Sequence, residues 1–283
     1  MTAVAVGATA STRSPRGLRG LPWTVLRLHR SALIVWAAFV LGCVGYLVWL
    51  TEVTAKSAHT TLAACPRSEA CGLGSAYTYS TGMGWISTFF YYSFWAVAAW
   101  AGGSLIGREL ESGTAGLAWT QDVTPTRWLA VKLAVPALLI VLGGAVFVPV
   151  HRWAWSAHRD LMGDTWFFSD AFATRGPAVV AYGLCALAVG TLAALLLGRS
   201  LPALGVAVAT MIVLNQFIAR HREDLWPTVS DAKPSTDLWP TRDGTYHSPS
   251  QFWPMHLVET GILLTITTLA TTTAFWLLRR RTA

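Results

Sequence analysis

The chain has 283 residues, of which 53% are hydrophobic and only 12% charged, with a formal net charge of +7. Soluble domains carry about 25% charged residues, so this composition excludes an ordinary water-soluble fold and points to an integral membrane protein. The positive excess does not point to nucleic acid: no basic-aromatic recognition module is present, and arginines at a cytoplasmic membrane edge give the same surplus.

Residues 18–30 read as an amphipathic helix lying in the membrane plane. Leu18, Leu21, Val25 and Leu28 share one helical face, with Arg16, Arg19, Arg27 and Arg30 opposite, the pattern of a helix on anionic lipid. Pro22 starts or kinks it; a disordered basic leader is the alternative. The leader does not read as a cleaved signal, because the apolar run after it is too long for a signal core and no convincing small-residue cleavage site follows.

A helix crossing hydrocarbon needs about 20 apolar residues. Six segments satisfy this, at about 31–50, 84–107, 129–150, 177–198, 201–219 and 257–278. The predicted fold is therefore an all-α integral membrane protein, a single domain over residues 1–283 with a leader at 1–30. Lys132, near the start of the third span, is expected to snorkel to the headgroups. Short-loop arginines and lysines place both termini in the cytoplasm, in agreement with an even number of spans.

The first outer loop carries Cys65 and Cys71, close enough to close a small ring in an oxidising environment, so a disulfide is expected. Cys43 and Cys185 fall within spans and read as small apolar fillers. The loops at 151–176 and 220–256 are rich in His and Trp, including His151, Trp153, Trp155, Trp226, Trp239 and His256. Their spacing is not that of a metal site, and tryptophans at a membrane edge form the ordinary interfacial belt. Five prolines in the long loop 220–256 exclude one continuous helix; short interfacial helices are expected there.

The second span packs hydroxyls and aromatics together. Tyr91, Tyr92, Phe94 and Trp95, with Asn215 of the fifth span, read either as the wall of a passage for an amphipathic or aromatic solute or as packing and interfacial anchoring. Threonines 265, 267, 268, 271, 272 and 273 of the last span can bond their own backbone, so they carry little signal. Glu259, near the start of that span, reads as a solvated interfacial carboxylate, with a proton or cation site as the alternative.

Charge appears abruptly at the end of the second span, in Gly107-Arg108-Glu109-Leu110-Glu111-Ser112-Gly113-Thr114. Two carboxylates and an arginine do not stay in hydrocarbon cheaply, so the chain leaves the membrane here. The helix is expected to run on through Glu111 and to end at Gly113 and Gly116. Thr124 caps the next helix, with Pro125 in its first turn, and Arg127 and Trp128 sit at headgroup depth.

Residues 107–121, Gly-Arg-Glu-Leu-Glu-Ser-Gly-Thr-Ala-Gly-Leu-Ala-Trp-Thr-Gln, continued by Thr126-Arg127-Trp128-Leu129-Ala130-Val131-Lys132, resemble the elbow of permease subunits of type-2, export-type ABC transporters. In-plane leader, six spans and long last outer loop are similar to that family as well, and the paired outer cysteines look like those of similar members. The resemblance implies a coupling helix seated in a groove of a separate cytoplasmic ATPase. Arg108, Glu109, Glu111, Gly113 and Thr114 would carry that contact, with Arg199 in the turn Gly198-Arg199-Ser200 as a second, smaller one.

No G-x-x-x-x-G-K-[ST] loop occurs in the chain, so ATP-Mg would bind in the partner and no cofactor or metal in this one. The working unit would be two permeases, identical or sister, with two P-loop ATPases in a bacterial plasma membrane. A membrane-embedded enzyme would need clustered ionisable residues at depth, which the sequence does not offer. A non-transport structural or regulatory membrane protein is the alternative. The substrate class is legible only as something amphipathic.

Overall fold

The computed structural model describes residues 21–64, 73–121, 123–162, 166–229 and 238–282. Nearly all of them are helical. Helix α1 is Leu21–Leu28, α2 is Arg30–Ala63, α3 spans 73–111, α4 is Thr114–Trp119 and α5 is Pro125–Ala157. Helix α6 is Ser169–Thr174, α7 is Ala178–Leu197, α8 is Ser200–His221 and α9 is Phe252–Thr282. A two-stranded antiparallel ribbon, Trp239–Pro240 (β1) with Tyr246–His247 (β2), pairs Trp239 with His247 and Pro240 with Tyr246. The long loop thus holds this ribbon as well as short 3-10 turns at Arg222–Leu225 and Pro249–Gln251.

Among the described residues five helices are long and apolar enough to cross a membrane: Arg30–Ala63, Pro125–Ala157, Ala178–Leu197, Ser200–Leu225 and Pro249–Thr282. The expected second span lies inside α3 but is not among them, because its Tyr, Trp, Ser and Gly residues dilute its apolar content. The helices also overrun the expected ends. His151, Trp153 and Trp155, read as loop residues, lie on the last turns of α5. In α2 the overrun passes through a π-helical turn, Leu50–Thr54, and α3 carries another, Ala101–Gly107, at the end of the expected second span. Cys65 and Cys71 lie outside the described residues; Cys43 and Cys185 are free thiols buried in the bundle.

The bundle is organised around α7. Its most apolar window is 72% buried, against 22–28% for the other four candidate spans. Its small residues allow this: a Cβ on Gly190 would lie 2.7 Å from the Ala98 carbonyl oxygen, and one on Gly183 would lie 2.8 Å from Ile140. Close backbone approach of this kind is how helices gain dispersion contacts where lipid offers no hydrophobic drive. A second core joins α2, α3 and α5, where Phe90 stacks on Phe147 and the Tyr79 hydroxyl donates to the Ala154 carbonyl at 2.7 Å.

The leader departs from its expected face. Val25 and His29 are buried, whereas Leu28 is 60% exposed together with Trp23. The leader therefore packs on the bundle through positions four apart, and Trp23, Leu26 and Leu28 face outward.

Candidate functional site

The chain's charged elbow closes one end of the bundle. Helix α3 runs unbroken through Arg108–Glu111, and Gly113, at φ 73°, breaks it. A left-handed residue of this kind strongly favours glycine. Gly116 does not end a helix; it lies inside α4. Thr124 caps α5, its hydroxyl accepting from the Arg127 backbone N–H at 3.4 Å, with Pro125 in the first turn as expected.

The two elbow carboxylates have different surroundings. Glu109 turns inward: Lys132 Nζ donates to its Oε1, and Trp128 Nε1 donates to its Oε2 at 3.2 Å. Lys132 does not snorkel to a headgroup. It is buried, gives a further hydrogen bond to the Leu105 carbonyl at 2.9 Å, and lies 3.4 Å from His29 Nε2. The partner from α3 lies at the same depth, so the ammonium is neutralised inside the bundle. Trp128 is buried beside it, its indole N–H committed to Glu109.

Glu111 is exposed and reaches sideways to α8. Its Oε2 accepts from the Ser200 hydroxyl and from the Ser200 backbone N–H at 3.0 Å. These bonds from Ser200, the hydroxyl first, hold its carboxyl below the usual carboxylate range. An acceptor on the first N–H groups of a helix also meets the positive end of its dipole. The consequence is spatial: the elbow and the turn Gly198-Arg199-Ser200, far apart in sequence, form one continuous surface. Arg108, Glu111, Gly113, Thr114, Leu117 and Arg199 are exposed on it. Arg281 of α9 closes the same end by donating to the carbonyls of Leu195 and Leu196.

The aromatic row of α3 divides. Tyr91 and Phe94 are buried against Tyr182 of α7, and Asn215 of α8 is buried with its amide donating to the Tyr91 hydroxyl. Tyr92 instead lines a groove between α2, α3 and α5, while Trp95 packs partly buried beside it at a ring separation of 4.5 Å.

Glu259 is not a solvated interfacial carboxylate. It is fully buried and paired with Arg222, itself 1% exposed. The guanidinium fork donates from Nε to Oε2 at 2.7 Å and from Nη2 to Oε1 at 3.0 Å, and Tyr182 donates to Oε1 at 2.9 Å. Nη1 reaches Ser169 of α6 at 2.8 Å. Carboxylate and guanidinium satisfy each other, which removes the need for water. Arg222 was assigned to the outer loop by sequence; its signal is that it extends the buried Asn215–Ile218 face of α8 by one further turn.

A family model described as ABC-2 membrane transporter related matches residues 36–222. No curated protein and no solved structure gives a match.

Proposed function

We propose, from the premise that the chain belongs to the ABC-2 membrane transporter related family, that this multi-pass membrane protein is the permease subunit of an ATP-driven exporter. The permease forms the translocation path and hydrolyses nothing itself. Helix α3 supplies a sixth span, both termini lie in the cytoplasm, α1 lies in the membrane plane, and the host membrane is a bacterial plasma membrane. ATP-Mg binds in a separate P-loop ATPase, and two permeases, identical or sister, complete the unit.

One observation supports the coupling reading best: Glu111 joins the elbow to the Arg199 turn in a single exposed surface. An ATPase seated there would press on α3, α7 and α8 together, and the bundle would switch between inward- and outward-facing arrangements. Arg108, Gly113, Thr114 and Arg199 present the docking face, Glu111 holds its two halves in register, and Glu109 anchors it to Lys132. Tyr92 and Trp95 face the cargo, while Tyr91, Phe94 and Asn215 brace the wall behind them.

The test is a mild-detergent pull-down of the tagged protein from its native membrane, followed by mass spectrometry. A P-loop ATPase should be recovered from wild type and lost from the Glu109→Ala, Glu111→Ala double variant, with export lost and expression retained. Normal export by that variant would overturn the coupling role. A protein recovered alone would favour a non-transport membrane role.

A further inference from the structure

The groove beside Tyr92 has a cavity volume of about 620 Å³ and is walled by α2, α3 and α5. Small-molecule sites span roughly 300–1,000 Å³. Its walls are almost wholly apolar, with Trp36, Phe39, Phe89, Trp100 and Ile140 among them. Both Thr88 and Trp100 of α3 line it, which at 1.5 Å per residue makes it about 18 Å long. It opens sideways, where Val35 and Phe89 are more than half exposed. The shape suits one extended hydrocarbon chain.

One end of the groove is not apolar. At the end remote from the elbow the groove is lined by Thr88, whose hydroxyl donates to Asp170 Oδ2 at 2.5 Å; Asp170 stands behind Thr88 on the wall of a second, smaller cavity, and its Oδ1 accepts from the Ala171 backbone N–H at 2.9 Å. Asp170 forms no ion pair with any described residue. The neighbouring Arg222 is committed to Glu259, and Arg159 and Arg175 stack on Trp155 at 4.0 and 3.6 Å. Phe89 and Tyr92 line the groove within about one helical turn of Thr88. An uncompensated carboxylate beside aromatic rings attracts a cation by charge and by cation–π contact.

We propose that the groove binds an amphiphile with a single long hydrocarbon tail and a cationic head, the tail lying between α2, α3 and α5 and the head at the Thr88 end, drawn by the Asp170 carboxylate behind it. The ligand is exported cargo or a resident amphiphile of the same chemistry. As cargo it would give the transport reading its substrate class and rest on that reading; the binding step itself is tested on the permease alone.

The full chain is reconstituted in nanodiscs of zwitterionic lipid and exposed to a dodecyl-trimethylammonium probe with a photoreactive tail. Labelling should map to residues 88–100 of α3. Asp170→Asn should weaken it about tenfold, the loss of roughly 1.4 kcal/mol. Ala96→Trp, which fills the groove and leaves Asp170 in place, should abolish it, with size-exclusion profiles of both variants expected to match wild type. Probes with the same tail and a sulfate or maltoside head should label no better than the ammonium probe does on Asp170→Asn. Equal labelling by all three heads, or an unaffected Asp170→Asn, overturns the proposal and leaves only bulk lipid in the groove. With the ATPase added, ATP-dependent loss of probe identifies cargo and ATP-independent retention identifies a resident amphiphile, and both support the site.

Discussion

Arg222 and Glu259 carry the largest single-residue consequence. Removing one member of a buried pair leaves an uncompensated charge and costs about 3–5 kcal/mol, whereas replacing both by apolar residues of similar volume is often neutral or stabilising. Glu259→Gln is therefore expected to lower the thermal unfolding midpoint in detergent sharply, and Arg222→Met with Glu259→Leu to recover most of the loss. A double variant as unstable as the single one would mean that the pair does not act as a unit. Glu111 behaves differently. Its carboxyl is held below the usual range, so its link to Ser200 is present above the unfolded carboxylate pKa and is lost as pH falls through the lower folded value. The protection factor of the Ser200 amide, its exchange relative to an unstructured amide at the same pH, should hold through the neutral range and fall only in acid; a fall near neutrality would refute the link. The oppositely charged Glu109 and Lys132, one at the end of the second span and one at the start of the third, are a pairing signal that the sequence did contain. Reading each charge alone sent Lys132 to the headgroups.

At the scale of elements, helix α3 joins the elbow to the bundle and does so through backbone contact. Its π-helical turn, 101–107, lies against α7 and α8, where a Cβ on Gly102 would lie 2.9 Å from the Ala203 carbonyl oxygen. The obstacles at Gly190 are likewise mainly backbone atoms of α3, which cannot move aside as a side-chain tip can. Gly190→Ala is expected to cost about 1–3 kcal/mol of stability by overpacking, read from the unfolding midpoint. Gly42→Ala, in α2 with nothing within 4 Å, serves as the unobstructed control and should stabilise slightly, by about 0.5–1 kcal/mol. Equal effects would show that helix propensity, and not close packing, governs both sites. Gly113→Ala places a side chain in left-handed backbone at a cost of about 1–2 kcal/mol. The change is confined to the exposed elbow, so it should weaken ATPase capture more than it lowers the unfolding midpoint.

For the whole molecule, α7 is the axis, and the polar links gather at the two ends of the bundle. At the elbow end Lys132–Glu109 joins α5 to α3, Glu111–Ser200 joins α3 to α8, and Arg281 joins α9 to α7. At the other end Arg222–Glu259–Tyr182 joins the end of α8, α9 and α7. Between them the helices meet mainly through apolar and small residues. Lys132→Met and Glu109→Gln should each destabilise the protein, and the pair should be non-additive by about 0.5–3 kcal/mol in a double-mutant cycle. Strict additivity would show that the two side chains do not share an interaction in solution.

Apolar runs of about 20 residues and the charged elbow were enough to read a helical membrane protein and its family from sequence, because hydrocarbon imposes length and satisfied backbone bonds on any span. The cap at Thr124, the break at Gly113 and the back-bonded threonines of α9 were legible for the same reason: each depends on residues within one or two helical turns. The partners of Lys132, Glu111 and Glu259 were decided only by the tertiary structure. Those partners lie 23, 89 and 37 positions away, and a lone charge near a span end looks alike in sequence whether it meets water, a headgroup or a counter-charge. Burial of Tyr91, Phe94 and Asn215 beside an open Tyr92 was settled in the same way, since which side of an aromatic helix meets the bundle depends on how its neighbours pack and not on its own periodicity.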